Sequence, residues 1–201
     1  NAVLVLGDTN SCLGLYSAKR LKIPTFHFEA GNRCYDQNVP EEINRKLIDH
    51  MSDINLTYST IARQNLLKEG IKNDLVIKVG SPLYEVFFNN KEKILKSNIL
   101  EKLSIKKRNY FLVSLHREEN TKDKKSINNI INILNEINNK FQKDIIFPCH
   151  PRIRTILENI NKNKKIRIIK PLGFTDYVNL QINSFVVLSD SGSISEESSI
   201  L

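Results

Sequence analysis

Short runs of consecutive apolar residues alternate along the chain with longer stretches in which apolar positions recur every three or four residues. Val3-Leu4-Val5-Leu6, Thr25-Phe26-His27-Phe28, Ile54-Asn55-Leu56-Thr57 and Val76-Ile77-Lys78-Val79 read as strands. Between them, Leu13, Leu15, Ala18 and Leu21, the stretch from Pro40 to about Met51, and Ile61 to Glu69 closing at Gly70 read as helices. Proline followed by Glu41 and Glu42 suits a helix N-terminus, where no intrahelical N–H partner is lost and acids complement the dipole. After a Lys-rich helical connector the alternation resumes. Tyr110–Ser114, Ile145–Phe147, Ile166–Ile169 and Phe185–Leu188 read as strands. Helices are expected over Ile127–Phe141, residues 152–160 and residues 174–183, with a last one starting near Ser193.

Strand–helix alternation with apolar strands predicts an α/β fold of parallel sheets covered on both faces. Gly80-Ser81-Pro82 is the strongest punctuation in the middle of the chain. Two Rossmann-like domains are therefore expected, 1–80 and 81–201. Both are expected to be incomplete: the first lacks whatever precedes Val3, and the second stops within a helix.

Composition narrows the class. The 201 residues are 40% hydrophobic and 26% charged, an ordinary globular mix. No apolar run is long enough to cross a bilayer, and no basic-then-apolar stretch opens the chain as a signal peptide would. Cys12, Cys34 and Cys149 match no metal or disulfide spacing, so free buried thiols in a reducing cytoplasm are expected. The net charge of +8 is unevenly placed: residues 1–90 balance ten Lys/Arg against ten Asp/Glu, while residues 91–201 hold twenty against twelve. Lys91, Lys93, Lys96, Lys102, Lys106, Lys107 and Arg108 form one basic cluster, and Lys162, Lys164, Lys165, Arg167 and Lys170 another. Without interleaved aromatics these read as solvated helix faces rather than a nucleic-acid surface, although a basic binding module is the competing reading.

The polar motifs all fall at expected carboxyl ends of strands, where open α/β sheets bind ligands, and a cleft between the domains is expected there. Asp8, Glu29 and Glu41 could converge as proton donors and acceptors. The structural alternative is that Asp8 caps the next helix and Glu41 and Glu42 serve a helix dipole. His116-Arg117-Glu118-Glu119-Asn120 follows a buried strand and could serve a phosphate leaving group; the alternative is a solvated loop. His150-Pro151-Arg152 is a weaker version of the same idea. His27 reads as a satisfied core histidine and His50 as a cation late on a helix. Ser189-Asp190-Ser191-Gly192-Ser193 opens a helix whose free N–H groups could hold a phosphate, with an acid one turn on for ribose hydroxyls; the alternative is a Ser193–Glu196 capping box. No P-loop lysine pattern and no G-x-G-x-x-G is present, so ordinary ATP and NAD sites lack support.

Taken in order, Gly7-Asp8-Thr9, His27-Phe28-Glu29-Ala30-Gly31-Asn32-Arg33, Pro40-Glu41-Glu42-Ile43-Asn44-Arg45, His116-Arg117-Glu118-Glu119-Asn120 and Ser189–Ser193 through Glu196-Glu197 resemble the bacterial non-hydrolysing UDP-N-acetylglucosamine 2-epimerase family. The resemblance implies the GT-B arrangement of two Rossmann-like domains. It also implies inversion at C2 of a UDP-linked N-acetylamino sugar through elimination and re-addition of UDP, for surface polysaccharide such as capsule or O-antigen. It casts Asp8, Glu29 and Glu41 as the acid/base group and His116 as the residue serving the departing pyrophosphate. Ser191, Gly192 and Ser193 become the phosphate turn and Glu197 the ribose acid. Arg33, Arg117, Glu119, Asn120 and His150 are placed among the residues contacting the UDP-sugar. No metal, redox cofactor, nucleic acid or membrane is implied, and the full-length form is expected to be a homodimer. The variants Glu118 and Ser193, the short loop 32–39 and the variant His150-Pro151-Arg152 resemble the branch that makes UDP-N-acetyl-L-fucosamine. Family members are nearly twice this length, so the chain is expected to be a fragment or excerpt, exposing apolar sheet edges and impaired in turnover by itself. A GT-B glycosyltransferase acting on a UDP-sugar is the competing enzyme reading.

Overall fold

The computed structural model describes residues 1–115, 124–149 and 151–201. Within it the chain divides into two compact units, Asn1–Pro82 and Leu83–Leu201.

The first unit is a parallel sheet of β1 (Val3–Leu6), β2 (Thr25–Phe28), β3 (Ile54–Thr57) and β4 (Val76–Lys78), hydrogen-bonded in that order. The connections carry α1 (Leu15–Arg20), α2 (Pro40–Met51) and α3 (Thr60–Lys68). Ser59 caps α3, its hydroxyl accepting from the Ala62 N–H at 3.0 Å. Val3 and Val5 pack with Cys12, Leu15 and Ile48, while Ala30, Leu66 and Val76 form a second cluster.

Here one expectation fails. The strands of this unit are not buried on both faces. Along β1 the burial alternates, with Leu4 and Leu6 each 61% exposed, and β2 and β3 alternate in the same way. Strand order explains it. When each strand is added beside the last through right-handed crossovers, the connecting helices all fall on one face. Leu4 and Leu6 therefore lie on the face these helices leave uncovered.

The second unit opens with α4 (Leu83–Leu95) and α5 (Ile99–Lys102). Its strands are β5 (Tyr110–Ser114), β6 (Asp144–Pro148), β7 (Ile166–Ile169) and β8 (Val186–Ser189), all parallel, in the order β7-β6-β5-β8. Its later helices are α6 (Lys124–Phe141), α7 (Pro151–Ile160), α8 (Phe174–Asn183) and α9 (Ser193–Ile200). The chain moves outward from β5 to β7, then returns to place β8 on the other side of β5. That reversal puts helices on both faces. Phe111, Val113, Ile145 and Phe147 pack against Ile127, Ile131 and Leu134 of α6 and Leu157 of α7, while Tyr110, Leu112 and Ile146 pack against Ile99 and Leu180. Every residue of β5 is buried, as a central strand covered on two sides requires.

The Lys residues of both basic clusters are exposed, and Arg167 donates to the Leu103 carbonyl. Among the described residues no helix is long and apolar enough to cross a membrane. All three cysteines are free. Cys12 and Cys149 are buried as expected, and burial pushes the Cys149 thiol up to about 11. Cys34 is exposed, contrary to expectation, because it lies on the loop between β2 and α2 rather than in a packed element.

Candidate functional site

In the first unit the site is built where β1 and β2 end. Leu6 pairs with Phe28, and the Gly7 N–H donates to the Phe28 carbonyl at 3.1 Å, so Asp8 and Glu29 leave the sheet side by side. A Cβ placed on Gly7 would lie 3.6 Å from Glu29 Oε2, which puts that carboxylate against the residue before Asp8. Glu29 itself sits at φ 73°, in the left-handed region that non-glycine residues seldom occupy. Holding it there costs on the order of 1–3 kcal/mol, which the surrounding structure has to offset, as it does at Lys22, Tyr35, Ser104, Arg108 and Gln142. The Asn32 amide donates to Glu29 Oε1 at 3.3 Å.

Helix α2 supplies the partners. Glu42, Arg45 and Asp49 stand at i, i+3 and i+7, one polar stripe facing the strand ends. Arg45 donates through Nε, at 3.1 Å, and Nη2 to Asp8 Oδ2, and through Nη1 to Glu42 Oε2 at 2.8 Å. Burial alone would lower the Arg45 guanidinium, but Asp8 and Glu42 raise it above its ordinary value. Asn44 donates to the Asp8 carbonyl at 2.9 Å. The Asp8 carboxylate is thus held by an arginine and not spent on capping a helix.

Of the two consecutive acids, Glu41 is exposed in the first turn of α2 and Glu42 is fully buried. Burial would raise the Glu42 carboxyl. The Cys34 N–H, Arg45, the Cys34 thiol and the Tyr35 N–H together outweigh it and hold the group at about 2. Because that lies below the unfolded carboxylate range, the stabilisation is fully present above about pH 4.5 and drains away as pH falls towards 2. Glu42→Gln is expected to lose about 3 kcal/mol at neutral pH and to flatten this acid limb, as urea denaturation at stepped pH will show.

Arg33 does not reach outward as expected of a substrate contact. Its side chain is buried, paired at 2.7 Å with Asp49 and through Nε and Nη2 with Glu69 at 2.7 and 2.6 Å. Burial would lower this guanidinium, but Glu69 and Asp49 raise it well above its ordinary value, while Arg33 in turn lowers Glu69. His50 approaches Glu69 at 3.4 Å. His27 is buried as expected, between Asp49 and the Gly7 carbonyl.

In the second unit the motifs leave neighbouring strands beside the point where strand order reverses. β5 ends at Ser114, paired with Ser189 at the end of β8, and the Asp190 N–H donates to the Ser114 carbonyl at 3.3 Å. Such a reversal opens a crevice at the carboxyl ends of the flanking strands. Ser189 Oγ accepts the Ser191 N–H, and the Ser191 and Ser193 hydroxyls stand 3.0 Å apart. No side chain caps α9, whose N-cap is Gly192. Ser193 does not form a capping box with Glu196: its hydroxyl donates to Glu197 Oε1 at 2.8 Å, and the Gln181 amide donates to Glu197 Oε2 at 2.7 Å. Tyr177, bonded to Ser114, is raised by burial, with nearby Glu197 adding to the effect. This corner offers hydroxyls, an uncapped helix start and an oriented carboxylate, a set suited to phosphate and a vicinal diol.

His116, Arg117, Glu119, Asn120 and His150 lie outside the described residues. Among the described residues no three His, Cys, Asp or Glu side chains converge as a metal site. Arg45 and Asn44, which hold Asp8, were not singled out by sequence reasoning.

The model of one protein family, described as UDP-N-acetylglucosamine 2-epimerase, matches residues 1–201. A UDP-N-acetylglucosamine 2-epimerase of Methanocaldococcus jannaschii is 38% identical over 211 residues, covering 100% of this chain and 58% of that protein. A crystal structure of that organism's enzyme in complex with UDP-GlcNAc and UDP matches with a TM-score of 0.88 at 39% identity, over 99% of this chain and 57% of that one. The structure of UDP-N-acetylglucosamine 2-epimerase from Rickettsia bellii matches with a TM-score of 0.89 at 49% identity, over 100% of this chain and 54% of that one. The chain therefore spans a little over half the length of these relatives.

Proposed function

The chain belongs to the UDP-N-acetylglucosamine 2-epimerase family, and from that premise we propose that the protein inverts C2 of a UDP-linked N-acetylamino sugar. The observation that carries the reading is the placement of Asp8 and Glu29 side by side at the ends of paired strands, with Glu29 held in a strained backbone conformation.

A C2 hydrogen is weakly acidic, so its removal must be coupled to loss of a good leaving group. A carboxylate of the group Asp8, Glu29 and Glu41 takes the C2 proton. The C–H electrons form a C1=C2 bond, the C1–O bond breaks, and its electron pair leaves on UDP. UDP then returns to C1 of the bound 2-acetamidoglucal, and a protonated carboxyl delivers a proton to the other face of C2. Two proton-transfer groups are needed, because one carboxyl cannot address both faces. Arg45 holds the Asp8 carboxylate in place. His116 neutralises the departing pyrophosphate. Ser191, Gly192 and Ser193 hold phosphate oxygens, and Glu197, oriented by Ser193 and Gln181, accepts from the ribose hydroxyls. Arg117, Glu119, Asn120 and His150 complete the contacts. Arg33 serves the scaffold of the acids. The variant loop and turn favour the UDP-N-acetyl-L-fucosamine branch for surface polysaccharide, and the full-length form acts as a cytoplasmic homodimer.

The nucleotide half is tested on this chain directly. UDP titrated into 15N-labelled protein is expected to shift the amides of Ser191 to Ser193 saturably, and Glu197→Gln is expected to weaken UDP about ten-fold while leaving uracil-free pyrophosphate unaffected, consistent with loss of one charge-assisted contact. Saturation that leaves these amides unmoved would contradict the assignment.

A further inference from the structure

His27 is a buried titratable group that the proposed chemistry does not use. His27 is fully buried in the middle of β2's end, between the two turns that carry Asp8 and Glu29. Its Nδ1 lies 2.7 Å from Asp49 Oδ1 and its Nε2 lies 2.9 Å from the Gly7 carbonyl oxygen. Both partners are acceptors. A neutral imidazole carries one N–H and would leave one of these contacts as two lone pairs facing each other; only the imidazolium, with two N–H groups, satisfies both. Moving the extra proton to Asp49 is disfavoured, because that carboxylate also accepts from Arg33 Nη1 at 2.7 Å and lies 3.2 and 3.3 Å from the Gly31 N–H.

The charged groups facing the ring form a closed set. Asp49 stands between His27 and Arg33, and Arg33 between Asp49 and Glu69, with His50 at the outer edge of Glu69. With the ring doubly protonated, His27 and Arg33 would face Asp49 and Glu69, two cations against two acids, so the added charge would be compensated in place. The set is anchored on backbone at both strand ends. His27 holds the carbonyl of Gly7, directly before Asp8, and Asp49 holds the N–H of Gly31, two residues after Glu29.

We propose that His27 is a positioning residue in its doubly protonated form, tying the turn that carries Asp8 to the turn that carries Glu29 through Asp49. This rests on the epimerase reading above for its consequence, though not for its protonation. A ring that only filled space would need one partner; this one fixes the spacing of two proton-transfer groups, where a displacement of about 1 Å can cost about a hundred-fold in rate.

Two measurements test it. Nitrogen-15 spectra of the histidine ring at pH 7 are expected to show both ring nitrogens of His27 protonated, with slowly exchanging protons. A single protonated nitrogen overturns the proposal, and this readout needs neither substrate nor turnover. In the whole protein, His27→Gln, whose amide can still donate to an acceptor, is expected to lower the turnover number for C2 exchange by about ten- to a hundred-fold with UDP affinity unchanged. His27→Phe is expected to lose more, with no recovery of turnover. Unchanged turnover in a folded His27→Gln protein overturns the positioning role. If the parent protein exchanges nothing at C2 while the ring carries two protons, the epimerase reading fails and the charged clamp stands.

Discussion

Replacing Glu29 with Gln or Asp8 with Asn is expected to lower solvent exchange at C2 of the sugar by about 10²–10⁴-fold, the range over which a positioned acid or base acts. The two changes should differ in their side effects. Asp8 shares Arg45 with Glu42, so Asp8→Asn leaves a half-buried guanidinium with one acid in place of two. Some stability is expected to go with the activity. Glu29 accepts from the Asn32 amide and sits at φ 73°. Glu29→Gly, which relieves the backbone, is expected to hold or raise the thermal midpoint while removing exchange altogether. Thermal unfolding set beside deuterium exchange separates the two effects. If Glu29→Gly unfolds at a markedly lower temperature, its conformation is not strained, and the case for a residue held for chemistry weakens.

The largest loss of stability is expected at Gly31. Its φ is +82°, and a Cβ there would sit 2.3 Å from the Ala62 carbonyl oxygen, 2.8 Å from the Ala62 carbonyl carbon and 3.0 Å from Leu66 Cγ. The nearest two atoms belong to the backbone of α3, which Ser59 caps and Leu66 packs into the core, so the helix has little freedom to withdraw. Overpacking of about 1–3 kcal/mol adds to about 1 kcal/mol for forcing an L-residue into the left-handed region. Gly31→Ala is therefore expected to cost about 3 kcal/mol or more, a large share of a domain's total stability. Gly70 makes the control. Its φ is +88°, and nothing lies within 4 Å of its added Cβ. Gly70→Ala should show the backbone part alone, about 1 kcal/mol. Equal midpoints in urea for the two variants would refute the close-approach argument.

Much of the architecture could be read from the sequence because short apolar runs are sufficient to mark where parallel strands form, though not how far they are covered. Tyr110–Ser114 and Ile166–Ile169 form strands over the expected residues, and Pro40 opens α2 as its position demands. The two sheets diverge for a reason that no local pattern contains. Strand order decides which face each crossover covers, so β1 to β3 are half-exposed while β5 is enclosed.

The acids show the same division. That Asp8 and Glu29 belong together follows from their position after strands, once the strands are known to pair. Which of Glu41 and Glu42 turns inward does not follow, since consecutive helical residues point about 100° apart and only the loop 34–35 selects one. The stripe Glu42, Arg45 and Asp49 did carry a signal, three charged residues on one helical face at i, i+3 and i+7, and it would have identified the partners of Asp8 and His27. The left-handed conformation of Glu29 carried none, because nothing in Phe28-Glu29-Ala30 demands it.

The central claim is that these carboxylates move the C2 proton of a UDP-sugar. It is met most directly by incubating the whole protein with UDP-N-acetylglucosamine in deuterated water, with no acceptor present, and following the C2 proton by NMR. The predicted result is loss of that signal in step with appearance of the C2 epimer, each new molecule carrying solvent deuterium. A nucleotide sugar that binds and yet keeps its original C2 proton would contradict the account.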